Sequence, residues 1–138
     1  MEVKNLETSL DEVKKRFTDS PFFKNMGFKM LEFSEEKVLL KLSVKEEFMN
    51  VNGTLHGGIH ASMLDQVFGM AVQAATKSTC ATINLNINYL ASSGTGDVFA
   101  TARILQQGYR TVILEGELFE EGGKKLAHGT GTFKVFRS

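Results

Sequence analysis

The chain has 138 residues, 42% of them hydrophobic, which is enough to build one domain with a sizeable core. Sixteen Lys and Arg balance sixteen Asp and Glu with no extended basic run, so neither nucleic acid nor an anionic membrane surface is an expected partner. The opening "MEVKNLETSLDEVKKRF" is charged throughout and no apolar run reaches about eighteen residues, so a cytoplasmic protein is expected, not a secreted or membrane-spanning one.

In chain order, "TSLDEVKKRF" pairs Ser9 with Glu12 in a capping-box pattern and sets Leu10, Val13 and Phe17 along one stripe, which predicts a short amphipathic helix. Ser20 and Pro21 suit the start of a second helical turn that Gly27 ends, making residues 1–27 a helical segment within a single domain over 1–138. From Phe28 the period changes: "FKMLEF" and "KVLLKLSV" read as strands, and "EEFMNVNGTL" as an irregular loop. "HGGIHASMLDQVFGMAVQAA", His56 to Ala75, then reads as a helix of about five turns, apolar nearly all round and therefore expected to be buried.

Beyond the helix, "TINLNINYL" alternates, with Ile83, Leu85, Ile87 and Tyr89 on one face and Thr82, Asn84, Asn86 and Asn88 on the other. "DVFATARILQ", "YRTVILEGELF" and "KLAHGTGTFKVF" continue as three strands of an antiparallel meander. Gly129 and Gly131 share a face of the last one, where something bulky can approach. One long apolar helix among six strands predicts an α+β fold, a curved antiparallel sheet wrapped around a central helix.

Two features of the long helix point to chemistry. Gly57 and Gly58 open it where backbone N–H groups lack intrahelical acceptors and the macrodipole is positive by roughly half a unit charge, a place for an anion or a developing oxyanion. Asp65 sits in its middle, where a buried carboxylate without partners costs roughly several kcal/mol, so a functional role is expected of it. Asn50, in the loop before the helix, can orient water or substrate through both its donor and its acceptor. His56 braces the helix start, His60 reads as a satisfied core or interface histidine, and the lone Cys80 as a small buried hydrophobe. His56 and His60 stand four apart with Asp65 following, but no HExxH glutamate is present and His128 falls in a late strand, so no metal site is expected. Ser62 lacks the GxSxG elbow of a serine nucleophile.

The stretch "NVNGTLHGGIHASMLD", Asn50 to Asp65, resembles the signature of the hotdog-fold acyl-CoA thioesterases of the phenylacetate-degradation (PaaI-like) type, and the similarity runs from about Met30 to Phe136. One departure is that many relatives carry a proline shortly after the strand matching "NINYL", where this chain has "ASSG". The resemblance implies a hotdog fold and hydrolysis of acyl-CoA by a homo-oligomer, a dimer or a dimer of dimers, without metal or organic cofactor. It implies Asp65, Gly57, Asn50, His56 and Thr82 as catalytic residues, with Asp65 as nucleophile or as general base on water, and Thr82 bonded to Asp65 or the water. Gly58 is a candidate substrate contact, and Arg110 and Lys77, near strand ends, are candidate partners for the phosphates of CoA. Phe48, Leu55, Met63 and Phe68 are candidates to set pocket depth and hence the acyl group. Gly57 and Asp65 lie eight residues apart, roughly 12 Å along one helix, so a single thioester needs them from two copies. The alternatives are a non-catalytic acyl-CoA-binding hotdog module and a hotdog enoyl-CoA hydratase, which needs a paired Asp and His aimed at the acyl chain.

Overall fold

A computed structural model describes residues 8–94 and 96–137; the first seven residues of the expected N-terminal segment lie outside that range. Helix α1 (Leu10–Thr18) starts on the expected capping box, with Ser9 Oγ accepting from Glu12 N–H at 3.1 Å and Ser9 N–H donating to Glu12 Oε1 at 3.0 Å. Helix α2 (Pro21–Met26) is capped by Ser20 and stopped by Gly27, whose φ of 76° is left-handed. The strands are β1 (Lys29–Phe33), β2 (Val38–Ser43), β3 (Cys80–Tyr89), β4 (Asp97–Gln107), β5 (Thr111–Glu120) and β6 (Lys125–Val135), with the long helix α3 (Gly57–Thr76) between β2 and β3. They form one antiparallel sheet in the order β1-β2-β4-β5-β6-β3. Strands β4 to β6 make the expected meander. Strand β3 does not join it beside β4; it pairs with β6 at the far edge, and the segment after it carries the chain back across the sheet.

Helix α3 lies on the sheet's inner face, with Met63, Leu64, Val67, Phe68, Met70 and Val72 fully enclosed. They pack on Leu40 and Leu42 of β2, Val98 and Ala100 of β4, and Leu114 and Leu118 of β5. The helix comes close because glycines remove side chains beneath its bulkiest groups. A Cβ on Gly131 would stand 2.8 Å from Phe68 Cδ2, and one on Gly129 3.0 Å from Leu64 Cδ1. Gly116, directly opposite Gly129, completes the notch, since a Cβ there would meet Phe68 Cε1 at 2.5 Å and the Thr101 carbonyl at 2.4 Å.

Two expectations need correction. Helix α3 is not buried all round: Ala61, Ser62, Asp65, Gln66 and Gln73 remain partly accessible, because one sheet can cover only one side of a helix. The strict alternation of β3 is broken by a bulge, in which Thr82 pairs with Phe133 and Asn84 with the next residue, Thr132. Ile83 is thereby the unpaired extra residue and 58% exposed, while Thr82 shares the inner face with Leu85 and Ile87.

Gly131→Ala is expected to lower stability by about 1–3 kcal/mol through overpacking against Phe68. Phe68→Leu, destabilising alone, should recover part of that loss in the double variant. Urea melts of the four proteins measure the coupling, and strictly additive losses would place the strain elsewhere.

Candidate active site

The N-terminus of α3 is built by its cap. His56 Nδ1 accepts from Gly58 N–H at 2.8 Å, which fixes Nδ1 as the unprotonated ring nitrogen and spends the Gly58 donor. Gly57 N–H is then the first donor of the helix without an acceptor among the described residues. Tyr89, from the end of β3, donates its hydroxyl to the Gly57 carbonyl at 3.2 Å, and its ring would lie 3.4 Å from a Cβ on Gly57. A bare Gly57 thus faces an open cleft of ≈ 330 Å³ bordered by Asn50, Leu55, His60, Tyr89 and Ala91.

Asn50 shapes the approach. Its Oδ1 accepts from Asn52 N–H at 2.9 Å and Thr54 N–H at 3.1 Å, and its Nδ2 donates to Thr54 Oγ1 at 2.9 Å. The amide therefore organises the 50–54 loop while standing at the cleft. Beside it, Leu55 N–H donates to the Ser93 carbonyl at 2.8 Å, and buried Ser93 donates its hydroxyl to Glu120 Oε2 at 2.8 Å. These bonds tie the residues just before His56 to the segment crossing from β3 to β4.

Asp65 and Thr82 form a separate pair. The bulge turns Thr82 toward α3, where its hydroxyl donates to Asp65 Oδ1 at 2.6 Å on the accessible stripe of the helix. Eight residues separate this carboxylate from Gly57, about 12 Å of helix. Neighbouring Cys80 is inert, its thiol pushed up to about 11 by burial, with a hydrogen bond from Gln73 pulling the other way and the nearby Asp65 charge adding to the rise. Among the described residues no group of three or more His, Cys, Asp or Glu could hold a metal ion.

Arg110 stands apart from the cleft, in the hairpin between β4 and β5. Its carbonyl accepts from Val135 N–H at 2.8 Å, and Val135 pairs with Cys80 just beyond the C-terminus of α3. It lies at the Asp65 and Thr82 end of the molecule, beside Arg137 stacked 4.7 Å over Tyr109 and Lys134 lying 5.4 Å over Phe136. Lys77 pairs with Glu35 and donates to the Ala74 carbonyl. Of the residues expected to set pocket depth, Leu55 borders the cleft, whereas Met63 and Phe68 are sealed in the core.

Two residues of this region escaped sequence reasoning, and a third differs from its expected state. Tyr89 had a signal, since it shares the inner face of β3 with Leu85 and Ile87. Ser93 had none, because "ASSG" reads only as a turn. His60 is buried as expected but not satisfied: neither ring nitrogen has a hydrogen-bond partner among the described residues.

Comparison with known proteins finds relatives along nearly the whole chain. Residues 52–127 match the model of the thioesterase superfamily. Acyl-coenzyme A thioesterase 13 of Homo sapiens is 30% identical over 133 residues, covering 93% of this chain and 95% of that one. Among solved structures, zebrafish thioesterase superfamily member 2 superposes with a TM-score of 0.81 at 29% identity, over 93% of this chain and 99% of that one. The E. coli PaaI protein of the phenylacetic acid degradation operon gives 0.84 at 20% identity, over 94% and 98%, and supports the fold.

His60 also sets an acid limit on stability. Burial pushes its pKa below the ordinary 6.5, so as pH falls through 6.5 the unfolded chain takes up the proton before the folded one. The fold therefore loses stability on the acid side until the lowered folded pKa is passed. His60→Leu is expected to lose less stability than the wild type between about pH 7.5 and about pH 5, measured by urea midpoints. An equal loss in both proteins would assign the acid sensitivity to other groups.

Proposed function

The chain belongs to the thioesterase superfamily, and from that premise we propose that it hydrolyses acyl-CoA thioesters to the free acid and CoA. The observation that carries this reading is the unengaged Gly57 N–H at the positive end of α3, on a glycine that lines the cleft. Attack on a thioester carbonyl places negative charge on its oxygen, and a preorganised donor about 3 Å from that oxygen stabilises the tetrahedral intermediate. His56 contributes by holding Gly58 N–H and with it the first turn. Asp65, oriented by the Thr82 hydroxyl, either attacks the carbonyl carbon, so that the C–S bond breaks to release CoA and the mixed anhydride left on Asp65 is hydrolysed by water, or takes the proton of an attacking water, so that the C–S bond breaks to release the free acid and CoA directly.

The active site in this reading is shared between copies in a homo-oligomer, a dimer or a dimer of dimers. Gly57 and Asp65 cannot reach one carbonyl from the same helix. A second copy of α3, antiparallel across a two-fold axis, brings its Asp65 opposite Gly57 and makes two equal sites. The accessible stripe of Ala61, Ser62, Asp65 and Gln66 supports this arrangement, as does the outer edge of β3, which pairs with no strand among the described residues. One copy then supplies Asn50, His56, Gly57 and Gly58, the other Asp65, Thr82 and, for the CoA phosphates, the cationic patch around Arg110.

Asp65→Asn, nearly isosteric, is expected to lower kcat for acyl-CoA at least about a hundredfold with the fold intact. Unchanged turnover, followed by thiol release, would remove Asp65 from the chemistry and favour a binding module. Refolding an equal mixture of Asp65→Ala and Asn50→Ala, each nearly inactive alone, should restore about a quarter of wild-type activity, since half the dimers are mixed and each mixed dimer has one unaltered site. Mixed dimers without activity would overturn the shared site.

A further inference from the structure

Of the first four N–H groups of α3, three are engaged: Gly58 on His56 Nδ1 at 2.8 Å, and Ile59 and His60 on the His56 carbonyl at 2.9 and 3.4 Å. Gly57 alone has no acceptor among the described residues. Its N–H sits on a glycine followed by a second glycine, and glycine has the widest backbone freedom of any residue, so the helix start is not stiff by sequence alone. Two peptide planes flank the Gly57 Cα. The one before it is held within the helix, through the bonds that the His56 carbonyl accepts. The one after it joins the Gly57 carbonyl to the Gly58 N–H and is held at both ends, by the Tyr89 hydroxyl donating to the carbonyl at 3.2 Å and by His56 Nδ1 accepting from the N–H. Tyr89 is the part of this clamp that comes from the sheet. It ends β3 opposite Ala127, and the next residue, Leu90, donates its N–H to the Leu126 carbonyl at 2.9 Å. Its ring stacks on His60 with centroids 5.6 Å apart and planes at 28°, so one side chain engages the first turn of α3 at residues 57 and 60 together.

We propose that Tyr89 is a positioning residue for thioester hydrolysis: its hydroxyl holds the Gly57–Gly58 peptide so that the Gly57 N–H keeps one direction, and the phenol takes no part in making or breaking bonds. The inference rests on the acyl-CoA reading above. An oxyanion donor is effective because it is already aimed when charge develops, and a donor on a loose glycine must first be ordered during the reaction. That cost falls mainly on the transition state, where the thioester oxygen carries charge, and little on the bound substrate, whose carbonyl is neutral. Loss of the Tyr89 hydroxyl therefore acts on kcat and leaves KM nearly alone. A tyrosine that gripped the substrate itself would show the opposite split.

The test is Tyr89→Phe, which keeps the ring and its stack and removes one hydroxyl from a side chain that is 54% exposed, so the fold is retained. With hexanoyl-, dodecanoyl- and benzoyl-CoA as substrates, kcat should fall about tenfold, short of the roughly hundredfold that loss of an oxyanion donor costs, with KM within about twofold and the urea midpoint unchanged. In the ligand-free protein the backbone order parameter of the Gly57 amide, from nitrogen-15 relaxation, should drop from the rigid range near about 0.85 toward about 0.6. Tyr89→Leu, which loses the stack as well, should lower kcat and the order parameter further. Unchanged kcat, a rise in KM that accounts for the whole loss of kcat/KM, or an unchanged order parameter at Gly57 overturns the proposal. If the wild type hydrolyses none of the three substrates, the hydrolytic reading fails on its own. The order parameters then decide on Tyr89, a drop in Tyr89→Phe supporting its hold on Gly57 and equal values overturning it.

Discussion

The site depends on the rigidity of one helix. Backbone hydrogen bonds along α3 hold Gly57 and Asp65 at a fixed separation of about 12 Å, and no side-chain rotation closes it. An aspartate is too short to reach back to the helix start, and the donor at Gly57 is main chain and cannot move forward. The two groups therefore lie at separate places on the chain. One is a donor in a cleft; the other is a carboxylate on an accessible stripe, steadied by a hydroxyl from the neighbouring strand.

Packing places these groups as firmly as the helix separates them. The notch formed by Gly116, Gly129 and Gly131 receives Phe68 and Leu64, so α3 sits close to the sheet in one register. That depth puts the stripe containing Asp65 beside β3, and the bulge at Ile83 then rotates Thr82 to meet it. Without the extra residue, strict alternation would send Thr82 to the outer face and leave the carboxylate without its partner. A local irregularity in an edge strand thus gives Asp65 its hydrogen-bond partner, while three absent side chains in the middle of the sheet set the helix's distance.

Much of this was legible in the sequence because the relevant signals are local. The capping box at Ser9, the period-two strands and the long apolar run of α3 each declare themselves within a few residues. The spacing from Asn50 to Asp65 likewise placed the loop, the cap and the carboxylate. What stayed hidden is non-local. The position of β3 beyond β6 depends on how the chain crosses the sheet, and composition does not encode that. The accessible stripe on α3 reflects how much of a helix one sheet covers, so an apolar sequence suggested fuller burial than the fold provides. The bulge was invisible because "TINLNINYL" fits unbroken alternation, and Lys77 looked free only because Glu35, 42 positions earlier, could not be seen beside it.

Ser93 carries a consequence of a different kind. Its carbonyl fixes Leu55 ahead of the helix cap and its hydroxyl reaches Glu120 where β5 turns toward β6, while Lys124 in that turn donates to the Ser92 carbonyl at 3.1 Å. The stiffness of the backbone at Gly57 is thereby continuous with a hairpin more than sixty residues downstream that never borders the cleft. Drift in that hairpin during evolution can shift the start of α3 without any change among the residues that line the cleft. The fold thus gives natural selection a remote adjustment of the cleft, at positions a survey of its lining alone would pass over.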